Sequence, residues 1–132
     1  MPDNVFHVFC DCTKLLSLFN LLDRICTQFG VVFSKETFIF GVKYSKQKRH
    51  LCTVLNFLLG QAKLSIWKCN KLEEEGNVGD GVNMFKALVE SRIAVEYAYF
   101  QVTGGTDMFV EKWCVDRGVW SVNAGGGLVF HW

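Results

Sequence analysis

Proline is nearly absent from this chain, occurring once at position 2, so nothing from residue 3 onward is kept out of a helix by a missing backbone donor. An excess of either charge is lacking too: fourteen basic and thirteen acidic residues leave a formal net charge of +1. The chain as a whole therefore attracts neither polyanions nor polycations, and only local clusters can do so. No run approaches the ~18 to 20 apolar residues of a membrane helix, and no membrane partner is expected. A secretory signal is missing as well, with Asp3 and Asn4 where positive charge would stand and no uninterrupted apolar stretch behind them. The six cysteines, at 10, 12, 26, 52, 69 and 114, are scattered. Reduced thiols and an intracellular setting, nucleus or cytoplasm, are the expectation.

Catalytic signatures are equally scarce. Adjacent aspartates never occur, although two-metal nucleotidyl transfer holds its ions between closely placed carboxylates. The glycine run 125–127 has no following Lys and Ser or Thr and no helix after it, so it is a hairpin turn rather than a phosphate loop. His50 and Cys52, two residues apart on a helix, point in different directions and form no nucleophile pair. His131 belongs to a terminal strand, and Glu73, Glu74 and Glu75 make a solvated run. No enzyme is expected in this chain.

What is present is apolar material in helical order. Half of the 132 residues are hydrophobic, enough for a single domain over 1–132 with one core. Thr13 can cap a first helix whose Leu15, Leu16, Leu18, Phe19, Leu21, Leu22, Ile25 and Cys26 recur at helical spacing up to Gly30. Residues 31 to 41 form an irregular connection with at most short extended pieces or a turn of helix. A long helix from about Ser45 to about Leu72 carries Leu51, Val54, Leu55, Leu58, Leu59, Ala62, Ile66 and Cys69 in one broad stripe. On its other side fall Lys46, Arg49, Asn56, Lys63, Lys68 and Lys71. After the Glu- and Gly-rich linker 73–81, Asp80 can cap a third helix to about Val102. There Met84, Leu88, Ser91, Val95, Ala98 and Val102 alternate at steps of four and three, the spacing at which helices pack. Gly104 and Gly105 end it, and a short fourth helix runs to about Cys114. Val119 to Val122 and Leu128 to Trp132 flank a hairpin turn. The fold expected is mainly α, about four helices around one core over 13–116, with a small C-terminal β-hairpin over 119–132.

Two clusters could carry chemistry. His7, Cys10 and Cys12 include half of a zinc site, His7-x4-Cys12, with no cysteine pair before it; Cys10 or a distant Cys26 would have to complete the set. The simpler reading is of ordinary residues leading into the first helix. The second cluster is the run Lys43, Lys46, Lys48, Arg49, Lys63, Lys68 and Lys71, seven cations with no acid until Glu73. Such clustering neutralises phosphates and makes affinity salt-dependent. Phe57, Leu64 and Trp67 lie among these cations. They either stack bases of a single strand or form a second buried strip, and burial is the preferred expectation.

Several segments, in order, resemble the region after the polymerase domain in LINE-type, non-LTR retrotransposon reverse transcriptases. Phe6-His7-Val8-Phe9-Cys10-Asp11-Cys12 is similar to the end of that family's zinc-binding motif. The likeness continues through Phe38-Ile39-Phe40-Gly41 and Tyr44-Ser45-Lys46. It is strongest from Leu55-Asn56-Phe57-Leu58-Leu59-Gly60 through Gln61-Ala62-Lys63-Leu64-Ser65-Ile66-Trp67-Lys68, resumes from Phe85 to Tyr97, and fades around Phe109 to Trp113. The resemblance implies a noncatalytic tail fragment that assists binding of element RNA or target DNA, with Lys46, Arg49, Lys63 and Lys68 as contacts. By family position His7 and Cys12 are the surviving metal ligands of a motif remnant over 1–12. No cofactor is expected, and zinc only if the missing ligands are supplied. The rival reading is an interaction or scaffold module packing on the upstream reverse-transcriptase body or on another copy. A degenerate element fragment with no retained function is the third.

Overall fold

The computed structural model describes residues 15–43, 48–76, 79–116 and 118–132. Among these residues five helices and one hairpin follow in order: α1 (Leu16–Gln28), α2 (Lys35–Phe40), α3 (Arg49–Glu74), α4 (Gly81–Thr103), α5 (Thr106–Trp113), β1 (Trp120–Val122) and β2 (Leu128–Phe130). The chain is mainly α with a small C-terminal sheet, as the periodicity predicts. Thr13, Ser45 and the His7, Cys10 and Cys12 cluster lie outside the described residues.

Local chemistry sets the helix ends. Gly30, at φ 74°, closes α1: its N–H donates to the Thr27 carbonyl at 3.0 Å and the Val31 N–H to the Cys26 carbonyl at 2.8 Å. That paired 5→2 and 6→1 bonding needs a left-handed residue, which glycine supplies without a Cβ clash. Ser34 caps α2, accepting the Thr37 N–H at 3.1 Å, so one and a half turns of helix occupy part of the stretch expected to be irregular. Asp80 caps α4 as anticipated, accepting the Asn83 N–H at 3.1 Å.

The core joins α1, α3, α4 and α5 to the hairpin. Leu18, Leu22, Ile25 and Cys26 of α1 meet Leu55, Leu58, Leu59, Ala62 and Ile66 of α3 and Phe85, Val89 and Ile93 of α4. Burying each large aliphatic or aromatic side chain contributes about 1.5–3 kcal/mol. The α3 stripe is the one the wheel selects. Two details differ from expectation. Leu16 is 59% exposed, because it falls on the turn facing away from α3 and α4. The four-and-three stripe of α4 is not its core face: Phe85, Val89, Ile93 and Phe100 are buried instead, while Val95 and Val102 are 65% and 86% exposed. Helix α4 is apolar around most of its circumference, so its own periodicity could not say which side α3 would cover.

The hairpin is antiparallel, pairing Trp120 with Phe130, Ser121 with Val129 and Val122 with Leu128. Asn123 organises its turn, its side-chain carbonyl accepting the Gly127 N–H at 2.8 Å. Trp132 then fastens the sheet to α4, donating its indole N–H to Glu90 at 2.8 Å, meeting the Phe85 ring edge-on at 5.6 Å and lying under Lys86. Tyr97 donates its hydroxyl to the Gly126 carbonyl.

Candidate nucleic-acid interface

Helix α3 is 26 residues long, about 39 Å at 1.5 Å per residue, and its non-core side is not one surface. Near the N-terminus the C-terminal segment covers it. Phe57 packs edge-on against Trp113 at 5.2 Å and Trp120 at 6.2 Å, and His50 Nε2 lies 2.8 Å from the Cys114 carbonyl oxygen. Phe57 thus meets the expectation of burial. Leu64 and Trp67 do not, at 39% and 56% exposed. The chain folds back over the first half of α3 and leaves the second half open.

A third edge of α3 holds the α2 segment. Asn56 Oδ1 accepts the Val42 N–H at 2.7 Å, and Asn56 Nδ2 donates to the Val42 carbonyl at 3.1 Å. Two turns later, Lys63 Nζ donates to the Ile39 carbonyl at 2.8 Å and sits 5.9 Å from the centre of the Phe38 ring. Partial burial lowers the Lys63 pKa. Gly41, between the two clamps, has φ 85°, and a Cβ there would come within 2.8 Å of Asn56 Oδ1. The separated segments Phe38 to Gly41 and Leu55 to Lys68 are therefore physical partners. Sequence reasoning missed the Asn56 clamp; its only signal was a lone amide bordering an apolar stripe.

The four contact candidates are accordingly dispersed. Lys46 lies outside the described residues. Arg49 is exposed in the first turn of α3, about 28 Å along the axis from Lys68. Lys63 is committed to the α2 carbonyl, and Lys68 is half-buried. What the fold does bring together centres on Trp67. On an α-helix its neighbours are Lys63 and Leu64 one turn back and Lys71 one turn on, while Lys68, next in sequence, points about 100° away. Gly60, exposed and with open space where a Cβ would project, continues the row Gly60, Leu64, Trp67, Lys71. Among the described residues Lys71 makes a long contact of 4.0 Å with Glu74, which at the surface adds little. A largely exposed indole with the exposed Lys71 one turn on and the half-buried Lys68 next in sequence has the ingredients of a stacking platform with phosphate contacts nearby.

Metal and nucleophilic chemistry find no such grouping. Among the described residues no three His, Cys, Asp or Glu side chains come together in a way that could hold a metal ion. Burial first, and then the Asp23 carboxylate, push the Cys26 thiol up to about 11, and burial also raises Cys69 and Cys114. Thiols held protonated are poor ligands and poor nucleophiles. Among the described residues no helix is long and apolar enough to cross a membrane.

Comparison with known proteins places this helical arrangement beside a mobile element. The chain is similar to the Transposon TX1 uncharacterized 149 kDa protein of Xenopus laevis, with 35% identity over 122 residues. That match takes in 92% of this chain and 9% of the longer protein, so the chain spans less than a tenth of its relative's length. No family model matches the chain, and no solved structure matches it. The chain is homologous to a short stretch of a transposon-encoded protein.

Proposed function

We propose, from that homology to a transposon protein, that the chain is a noncatalytic helical module from the tail of a LINE-type reverse transcriptase. Its part there is to hold single-stranded element RNA or opened target DNA against the outer face of α3. The observation that carries this reading is Trp67, 56% exposed within one helical turn of Lys63, Lys68 and Lys71. More than half of this indole is open to solvent, and base stacking on such a ring contributes ~1–3 kcal/mol per base. Lys68, Lys71 and Arg49 supply phosphate contacts; Lys63 mainly sets the α2 segment in place beside them. The upstream reverse-transcriptase domain would provide the catalytic carboxylates and the rest of the zinc motif, and zinc enters no step of this reading.

A short labelled single strand of about 12 nucleotides, titrated with the chain, tests it. Engaging two or three phosphates predicts a loss of about tenfold in affinity between 50 and 200 mM salt. Trp67→Ala weakens binding by about tenfold, and Arg49→Glu with Lys68→Glu and Lys71→Glu abolishes the salt dependence. Affinity unchanged by the triple reversal in a folded variant defeats the proposal.

A further inference from the structure

The open side of α4 has an order that the nucleic-acid reading does not use. Between Asn83 and Val102 about half of its circumference is formed by Met84, Ala87, Leu88, Ser91, Ala94, Val95, Ala98 and Val102 with Asn83, Tyr99 and Gln101 at the edges. The charged side chains of α4 are all elsewhere or marginal: Lys86 and Glu90 are engaged by Trp132, and Arg92 at the margin pairs with Glu96 at 3.1 Å. Val95 and Val102, at 65% and 86% exposed, are the most open large apolar side chains of the face. A solvated helix face normally carries charge. This one, over about 27 Å of helix, carries none at its centre.

Its spacing says what shape covers it. Met84, Leu88, Ser91, Val95, Ala98 and Val102 alternate by four and three residues, the repeat that keeps a seam facing a second helix. The two sets of seam positions differ in size. Leu88, Val95 and Val102 occupy one set and Met84, Ser91 and Ala98 the other. In a parallel pair each set meets itself, so serine faces serine and alanine faces alanine, leaving voids between layers of facing valines. In an antiparallel pair the sets face each other. The numbers then match about one point: Leu88 lies opposite the partner's Ala98, Val95 opposite the partner's Ser91, and Val102 opposite the partner's Met84. In two of these three kinds of layer a large side chain meets a small one, which is how two rows interdigitate at native density. That self-complementarity is the property of a two-fold interface.

We propose that this face of α4 closes on a second copy of the chain, antiparallel across a two-fold axis level with Ile93. About a dozen residues a side cover ~900 Å² in total, at the low end for specific association, so the dimer is a weak one with Kd around 10 μM. The surface is separate from the Trp67 side of α3, and the inference does not depend on the function proposed above.

Sedimentation equilibrium of the full chain from about 1 to about 500 μM reads the dimer directly. Val95→Glu, an exposed substitution that leaves the monomer folded, raises Kd at least about tenfold by burying a carboxylate in the seam. Val95→Ser alone and Ser91→Val alone each weaken the dimer, through a void and a clash. The double variant Ser91→Val with Val95→Ser restores each layer to one valine and one serine, and Kd returns to within about threefold of the parent value. A chain that stays monomeric throughout the range, or that dimerises equally well with Val95→Glu, overturns the proposal. Loss of association in both single variants without recovery in the double variant overturns the antiparallel register. Recovery by the double variant is expected only of a partner carrying the same two residues.

Discussion

Removing the Asn56 side chain separates the two jobs done by α3. Asn56→Ala deletes both hydrogen bonds to Val42, at 2.7 and 3.1 Å in a half-buried site. At ~0.5–1.5 kcal/mol each, with part of the loss offset by alanine's better helix propensity, the net destabilisation is about 1.5 kcal/mol. For 132 residues the unfolding entropy of ~2.1 cal/mol/K per residue turns that into a drop of about 5 °C in Tm. Asn56→Asp discriminates further. It keeps an acceptor for the Val42 N–H but sets a carboxylate oxygen against the Val42 carbonyl, so it costs at least as much as alanine. Thermal unfolding followed by circular dichroism measures both, with Leu64→Ala as an exposed control expected to shift Tm by less than about 2 °C. If both Asn56 variants melt within about 1 °C of the parent, the clamp does not hold the α2 segment and the reasoning fails. Strand binding at a temperature where all variants are folded is expected to survive Asn56→Ala and to fall with Trp67→Ala.

Other consequences are simpler to state. Ile93→Ala is expected to cost about 3 kcal/mol and Val95→Ala less than about 0.5 in the monomer, since one residue is fully buried and the other 65% exposed; denaturant midpoints at low concentration check the pair. Trp120→Phe should destabilise more than Trp113→Phe. The Trp120 indole N–H donates to the Trp113 carbonyl at 2.9 Å, whereas the buried Trp113 Nε1 has no hydrogen-bond partner among the described residues and its removal recovers a desolvation penalty. Alkaline pH should weaken the fold through Cys26, whose thiol is pushed from 9.0 to about 11. Below 9 the thiol is protonated in both states and its contribution is complete; between 9 and 11 the unfolded chain releases the proton while the folded chain keeps it, and stability falls. Cys26→Ala should lower stability at neutral pH but flatten that alkaline slope in urea titrations at pH 8 and 10.5.

How far the residues alone reach depends on whether one element suffices for the inference. Helix ends were legible at Gly30 and Asp80 because a cap is a contract between neighbours in sequence. The core stripe of α3 was legible because one side of that helix is continuously apolar over five turns. The zinc remnant, by contrast, rests on residues 7 to 12, outside the described structure, and of its candidate completing ligands only the buried Cys26 is described. The basic run was visible as a count of charges, but a count carries no information on reach: Lys63 looked like Lys68 until its amine was found on the Ile39 carbonyl.

Sequence by itself determined that this chain is helical, that α1 ends at Gly30 and α4 begins after Asp80, and which face of α3 is core, since those follow from capping and an amphipathic period. Tertiary structure alone decided which of two apolar faces of α4 is buried, because both satisfy helical spacing and only the shapes of α1, α3 and Trp132 choose between them. It also decided that Phe57 is covered while Leu64 and Trp67 are open, because the chain returns over α3 from residues 113 to 120, more than fifty positions away. Helical spacing describes a residue's direction from its own axis; whether anything stands in that direction is settled by the rest of the chain.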